Sequence, residues 1–200
     1  MKIISLNIRG VGGGPKYSLL KHLVTSIKPY LVILQETMVS AVCARLSLGK
    51  LFPSWGICSS DSEGRSGGLF VAWDINIFDL CPFLTSAGIL LEGIVRDGNI
   101  PIKLLNCYGS YSDKKGFWNA TLHSGILMEV NLIIGGDLNL TLEAGECWGI
   151  HARMDDMAFY FKKKIRILVC WTYGVGRRFL LGTMVERENS ILEKYWTASW

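Results

Sequence analysis

Three short apolar runs in this chain each stop on an oxygen- or amide-bearing side chain, and that punctuation limits the folds it can adopt. Lys2 to Asn7 is β-rich and alternating, Tyr30 to Leu34 leads into Gln35 and Glu36, and Val130 to Ile134 leads into Gly135-Gly136-Asp137 with Asn139 close behind. A carboxylate after an apolar strand is costly to bury unpaired, so it must meet water, a donor or a cation. In open α/β sheets such side chains converge beyond the carboxyl ends of the strands. Taken singly, each is an ordinary turn former. Together they point to one polar site at one end of a sheet.

Between these runs the pattern alternates between helix and strand, then turns mostly to strand. Leu20, Leu23, Val24 and Ile27 recur at helical spacing before Pro29, and a second helix is predicted over Ala41–Leu48. Strands are predicted at Trp55–Ser59, Gly68–Trp73, Ile89–Arg96 and Ile102–Tyr108. The apolar stretch Leu80 to Leu91 reads as one buried strand. Asp113 caps a predicted helix through Phe117, Leu122 and Ile126. Strands arriving in succession after early alternation predict a layered α/β sandwich with two mixed β-sheets rather than a doubly wound parallel sheet.

Composition narrows the function classes. With 200 residues and 50% hydrophobic content the chain can bury a substantial core, while 19% charged residues argue against global disorder. No uncharged run approaches the roughly 18–20 residues a spanning helix needs, so no membrane association is expected. The opening MKIISLNI lacks the layout of a signal peptide, and no targeting signal is seen. Six scattered cysteines without a CxxC pair fit neither a zinc site nor a disulfide scaffold, and read as reduced thiols of an intracellular protein. The net charge of +4 permits a polyanionic partner. The run Lys162, Lys163, Lys164 and Arg166 reads as a solvated helix face able to touch phosphates.

The glycine-rich Gly10-Val11-Gly12-Gly13-Gly14 is not a dinucleotide fingerprint, because Pro15 follows where a spaced glycine is needed. A P-loop is also excluded, since no Gly-Lys-Ser/Thr follows it. No small-molecule cofactor is therefore expected. A cluster of Asp, Glu and Asn oxygens suits a hard divalent ion such as Mg²⁺.

These motifs resemble those of the endonuclease/exonuclease/phosphatase (DNase I-like) superfamily. Ser5-Leu6-Asn7-Ile8-Arg9-Gly10 resembles its opening strand, Leu34-Gln35-Glu36-Thr37 its LQET motif, Asn106-Cys107-Tyr108 its NxY strand end, and Gly136-Asp137-Leu138-Asn139 its GDxN motif. Gly64-Arg65-Ser66-Gly67-Gly68, Phe117-Trp118, Ala144-Gly145-Glu146 and His151-Ala152-Arg153 resemble the endonuclease domain of plant LINE-type retrotransposons. The resemblance implies a four-layered α/β sandwich and metal-assisted phosphodiester hydrolysis with Mg²⁺ or Mn²⁺. It implies that Glu36 and Asn7 hold the metal. Asp137, Asn139, Tyr108 and Asn106 become the catalytic groups, Asp137 and Asn139 meeting the water and phosphate and Tyr108 approaching the scissile phosphate. DNA is the implied substrate and the nucleus the implied place of action. A phosphatase or deadenylase of the same superfamily, or a non-enzymatic degenerate retroelement fragment, are the alternatives.

The resemblance covers residues 1–166, and 167–200 reads as a divergent segment. The family's late Ser-Asp-His motif is not in the sequence, whose only histidines are His22, His123 and His151. The TWSN-like strand is echoed only by Trp171-Thr172. The expectation is a reading-frame break near Leu168, a truncated sandwich with one flank bare, and impaired activity.

Overall fold

The computed structural model describes residues 1–11, 14–63, 66–129, 131–141, 170–174 and 177–181. In chain order the elements are β1 (Ile3–Asn7), α1 (Gly14–Ile27), β2 (Leu31–Gln35), α2 (Ala41–Leu48), β3 (Gly56–Glu63), β4 (Ser66–Trp73), β5 (Phe78–Thr85), β6 (Gly88–Val95), β7 (Ile100–Tyr108), α3 (Lys114–His123), β8 (Leu132–Asp137), β9 (Cys170–Gly174) and β10 (Arg177–Leu181). Among the described residues no helix is long and apolar enough to cross a membrane.

Two four-stranded mixed sheets result, ordered β1-β2-β4-β3 and β5-β6-β7-β8. In each sheet one pair is parallel, β1 with β2 and β7 with β8, and the remaining neighbours are antiparallel. The period-2 alternation of strand side chains then builds three apolar layers. Leu31, Ile33, Leu69, Val71 and Trp73 meet Phe78, Leu80, Ile89, Leu91, Ile102 and Leu104 between the sheets. The opposite face of the first sheet, with Ile4, Leu6, Val32, Leu34, Phe70 and Ala72, is covered by α1 and α2 through Leu20, Ala44 and Leu48. On the far side of the second sheet, Leu90, Leu105, Cys107, Leu132 and Ile134 pack under Trp118 of α3. Trp118 is fully buried and meets Phe117 edge to face, with ring centroids 5.0 Å apart. The architecture is the expected four-layered α/β sandwich.

Local chemistry sets the element ends. Pro15 stands in the first turn of α1, where its missing N–H costs nothing. Ser40 caps α2 by accepting from the Cys43 N–H, and Asp113 caps α3 by accepting from the Gly116 N–H at 2.9 Å. Helix α3 stops at His123, short of the expected Ile126. Gly125 takes a left-handed φ of 77°, and Ile126–Met128 forms a separate 3-10 turn.

The stretch Leu80 to Leu91 is not one buried strand. It is a β5–β6 hairpin turning at Thr85–Gly88, with Thr85 Oγ1 accepting from the Ala87 N–H and donating to the Gly88 carbonyl. Strand β5 lies at the sheet edge, which is where Pro82 can sit without removing a ladder bond, and Phe83 and Leu84 are exposed.

The segment read as divergent contains a hairpin. Strands β9 and β10 pair antiparallel, and β9, which carries Trp171 and Thr172, runs beside β1 and β8. The flank expected to be bare is therefore lined there. Gly64-Arg65, Ala144-Gly145-Glu146, His151-Ala152-Arg153, the basic run at 162–166 and residues around Leu168 lie outside the described residues.

Candidate active site

The two parallel strand pairs end on the same side of the sandwich. In register, Asn7 lies opposite Gln35 in the first sheet, and Tyr108 lies opposite Asp137 in the second. Strand direction alone thus delivers Asn7, Glu36, Tyr108 and Asp137 to the carboxyl ends of β1, β2, β7 and β8, where the twin sheets face each other.

There they form one hydrogen-bonded cluster. Asn7 Nδ2 donates to Glu36 Oε1 and to Asp137 Oδ2, each at 2.8 Å. The Tyr108 hydroxyl donates to the same Glu36 Oε1 at 2.9 Å. The Asn139 N–H donates to Asp137 Oδ1 at 3.0 Å, and Asn139 Nδ2 donates to the Gly109 carbonyl at 2.6 Å. All five residues are partly accessible. Desolvation first, and then the hydrogen bond to Glu36, push the Tyr108 phenol up to about 12, against the opposing pull of the Asn139 side chain. It stays protonated, a donor, across any physiological pH.

Backbone geometry holds Glu36 rigidly. Its φ of 53° lies in the left-handed region, a strained choice for a non-glycine residue that persists only when the surroundings enforce it. They do so on both sides: the Gly10 N–H donates to the Glu36 carbonyl, and the next two N–H groups, of Thr37 and Met38, donate to the carbonyls of Gly68 and Gly67. Gly68 has a φ of 78°, and a Cβ there would stand 2.3 Å from Thr37 Oγ1. The described part of the Gly64–Gly68 turn therefore serves the Glu36 loop. Gly135 matters for sheet approach. A Cβ on it would lie 2.1 Å from Ile33 Cδ1, so its bareness lets β8 come close enough to β2 for Asp137 to reach Asn7.

Asn106, expected among the catalytic groups, does not join the cluster. It is fully buried, accepting from Gln35 Nε2 at 2.7 Å and donating to the carbonyls of Leu34 and Phe70 at 3.1 and 3.2 Å. It shares a face of β7 with Tyr108 but sits two positions deeper. Asn7, expected as a metal ligand through oxygen, turns its NH₂ to the carboxylates while Oδ1 accepts from the Arg9 N–H at 3.2 Å. Sequence reasoning missed Gln35; the signal was a long amide immediately before Glu36 in an otherwise apolar run. At the rim, Lys16 Nζ donates to the Arg9 carbonyl, and both basic side chains are exposed. His22 and His123 are exposed on α1 and α3; the Nδ1 of His123 contacts the Asn119 carbonyl.

The donor set suits a small divalent cation. Glu36 and Asp137 bring hard oxygens to one point, and among the described residues neither forms an ion pair. Among the described residues there is no cluster of three His, Cys, Asp or Glu side chains, so a cation here would draw on two carboxylates, amide oxygen and water.

No protein-family model matches the sequence, and no curated protein matches it. Solved structures do resemble it. The 3'-5' exonuclease NExo of Neisseria meningitidis aligns at 16% identity and TM-score 0.59, over 81% of this chain and 69% of that one. An AP endonuclease of Archaeoglobus fulgidus aligns at 19% identity and TM-score 0.59, over 82% and 69%. A mannosyl-6-phosphatase of Bacteroides thetaiotaomicron aligns at 15% identity and TM-score 0.51, over 70% and 66%. Two mixed four-stranded sheets, flanked by helices and matched by nucleases and a phosphatase, make this a DNase I-like fold.

Proposed function

We propose that the chain is a divalent-metal-dependent phosphodiesterase of nuclease type that acts on DNA, akin to the endonucleases of LINE-type retroelements and working on nuclear DNA. The observation that carries this reading is the Asn7 amide nitrogen standing 2.8 Å from a carboxylate oxygen of both Glu36 and Asp137. Paired carboxylates gathered from two sheets onto an accessible floor suit Mg²⁺ or Mn²⁺. Glu36 would hold the cation, joined by Asn7 once its amide oxygen turns inward. When bound, that ion polarises a phosphoryl oxygen and offsets charge on the leaving oxygen.

The protein's own groups supply the remaining chemistry. Asp137 accepts a proton from the attacking water, its Oδ1 steadied by the Asn139 N–H. Asn139 is assigned a phosphoryl oxygen. Tyr108, a protonated phenol whose pKa is pushed up to about 12, would turn its O–H from Glu36 toward charge developing on the phosphate. Exposed Arg9 and Lys16 at the rim suit a polyanionic substrate. The sequence has no Ser-Asp-His motif, and neither His22 nor His123 is hydrogen-bonded to the cluster. We assign water activation to Asp137, and where no imidazole joins it turnover is expected about 10²–10⁴-fold below that of a site with an imidazole relay.

Incubation of the full chain with supercoiled plasmid and Mg²⁺ tests the reading. Slow nicking that disappears with EDTA and with Glu36→Ala is the expected result. Nicking that Glu36→Ala leaves intact overturns it. Faster hydrolysis of a soluble phosphomonoester than of plasmid would instead favour the phosphatase alternative, for which the fold shared with a mannosyl-6-phosphatase speaks.

A further inference from the structure

Directly behind the carboxylate cluster lies a second, buried polar layer. Ser5, Gln35 and Asn106 are 7%, 0% and 0% exposed. Gln35 Nε2 donates to Asn106 Oδ1 at 2.7 Å and more loosely to Ser5 Oγ at 3.4 Å. Asn106 Nδ2 continues to the carbonyls of Leu34 on β2 and Phe70 on β4. The layer thus ties β1, β2 and β4 of one sheet to β7 of the other. Each member also sits within two positions of a cluster residue: Ser5 before Asn7, Gln35 before Glu36, Asn106 before Tyr108.

Such a layer is a poor way to build a core. Buried amides stabilise little net, and one left partly unsatisfied costs free energy; Gln35 Oε1 has no hydrogen-bond partner among the described residues. The neighbouring inter-sheet positions are Ile33 and Leu104, so apolar side chains suit this space. What apolar contacts do not provide is direction. They tolerate sliding of one sheet over the other, whereas a short buried hydrogen bond fixes the offset. A 1 Å misplacement at a reacting centre can cost about 10²-fold in rate.

We propose that Gln35 and Asn106 are positioning residues whose bond locks the offset between the two sheets and thereby sets the separation of Glu36 from Tyr108 and Asp137. Asn106 acts through those side chains and not on the phosphate. The inference rests on the function proposed above, in that the cluster it positions is taken to be the metal site.

The test is calorimetric titration of the full chain with Mn²⁺, comparing wild type, Glu36→Ala, Gln35→Met, Asn106→Leu and the double variant. Gln35→Met and Asn106→Leu should each weaken Mn²⁺ binding about tenfold or more, the size typical of groups that orient metal ligands. The double variant should lose no more than the worse single one, because both break the same bond. If the apolar variants fail to fold, Gln35→Asn is read in their place: neutral and polar but one methylene shorter, it withdraws the amide from Asn106 Oδ1, breaks the bond itself, and should weaken binding likewise. Folded variants that bind Mn²⁺ within about twofold of wild type, while Glu36→Ala does not bind, overturn the positioning role and leave the proposed function standing. A wild-type chain that fails to bind Mn²⁺, or a Glu36→Ala chain that binds it equally well, overturns the proposed function and this inference with it.

Discussion

Asn7 and Asp137, 130 positions apart in the sequence, are joined by a 2.8 Å hydrogen bond from Asn7 Nδ2 to Asp137 Oδ2. Because the same nitrogen also reaches Glu36, one amide bridges the two sheets at the site. Asn7→Ala removes that bridge and leaves two carboxylates facing each other with nothing between. Mg²⁺-dependent plasmid nicking should fall about 10–100-fold. An unchanged nicking rate in a folded Asn7→Ala chain would detach this amide from function.

Tyr108 yields a pH prediction. Its pKa is raised from the ordinary value of 10.0 to about 12, chiefly by desolvation and by Glu36. Between those values the unfolded chain has lost the proton and the native chain has kept it, so native stability falls as pH rises through that window and is fully retained below it. Tyr108→Phe abolishes the titration. Urea unfolding at pH 10 to 12 should therefore show a shallower alkaline loss of stability in Tyr108→Phe than in wild type. Parallel slopes would mean that the phenol is not held in this way.

Gly68→Ala probes the frame of the Glu36 loop. At φ 78°, and with Thr37 Oγ1 only 2.3 Å from the added Cβ, alanine should destabilise the fold by about 1–3 kcal/mol. Denaturant midpoints measure this. A neutral substitution would contradict the tight packing of Gly68 on Thr37.

The histidines give a negative control with content. If Asp137 alone activates water, His22→Ala, His123→Ala and His151→Ala each leave the nicking rate within about twofold of wild type, since general acid–base groups are typically worth about 10²–10⁴-fold. A loss of that larger size in any of the three variants would bring an imidazole into the site.

Strand ends were legible in the sequence because they are a one-dimensional property: an apolar run halts, and a polar side chain follows. Asn7, Glu36 and Asp137 could be picked out for that reason, and parallel register then brought them together. Depth was not legible. Asn106 and Tyr108 lie on one face of β7, and only the packing of the second sheet reveals that one is buried while the other borders the opening. Gln35 was passed over on the same ground, its neighbour Glu36 carrying the more familiar chemistry. The Leu80–Leu91 hairpin was missed because hydrophobicity alone does not mark a turn. Its local clues were Thr85 and Gly88, whose φ is 142° and where a Cβ would lie 2.0 Å from the Asn106 carbonyl oxygen.

Localising the cation tests the central claim most directly. Substoichiometric Mn²⁺ added to the ¹⁵N-labelled chain should broaden the amide resonances of Gly10, Glu36, Gly109 and Asn139 first, because these surround the Asn7–Glu36–Asp137 cluster. Glu36→Ala should abolish that pattern. Broadening centred on another acidic group, such as Glu92 and Glu129 around Lys103, would contradict the assignment of the metal site.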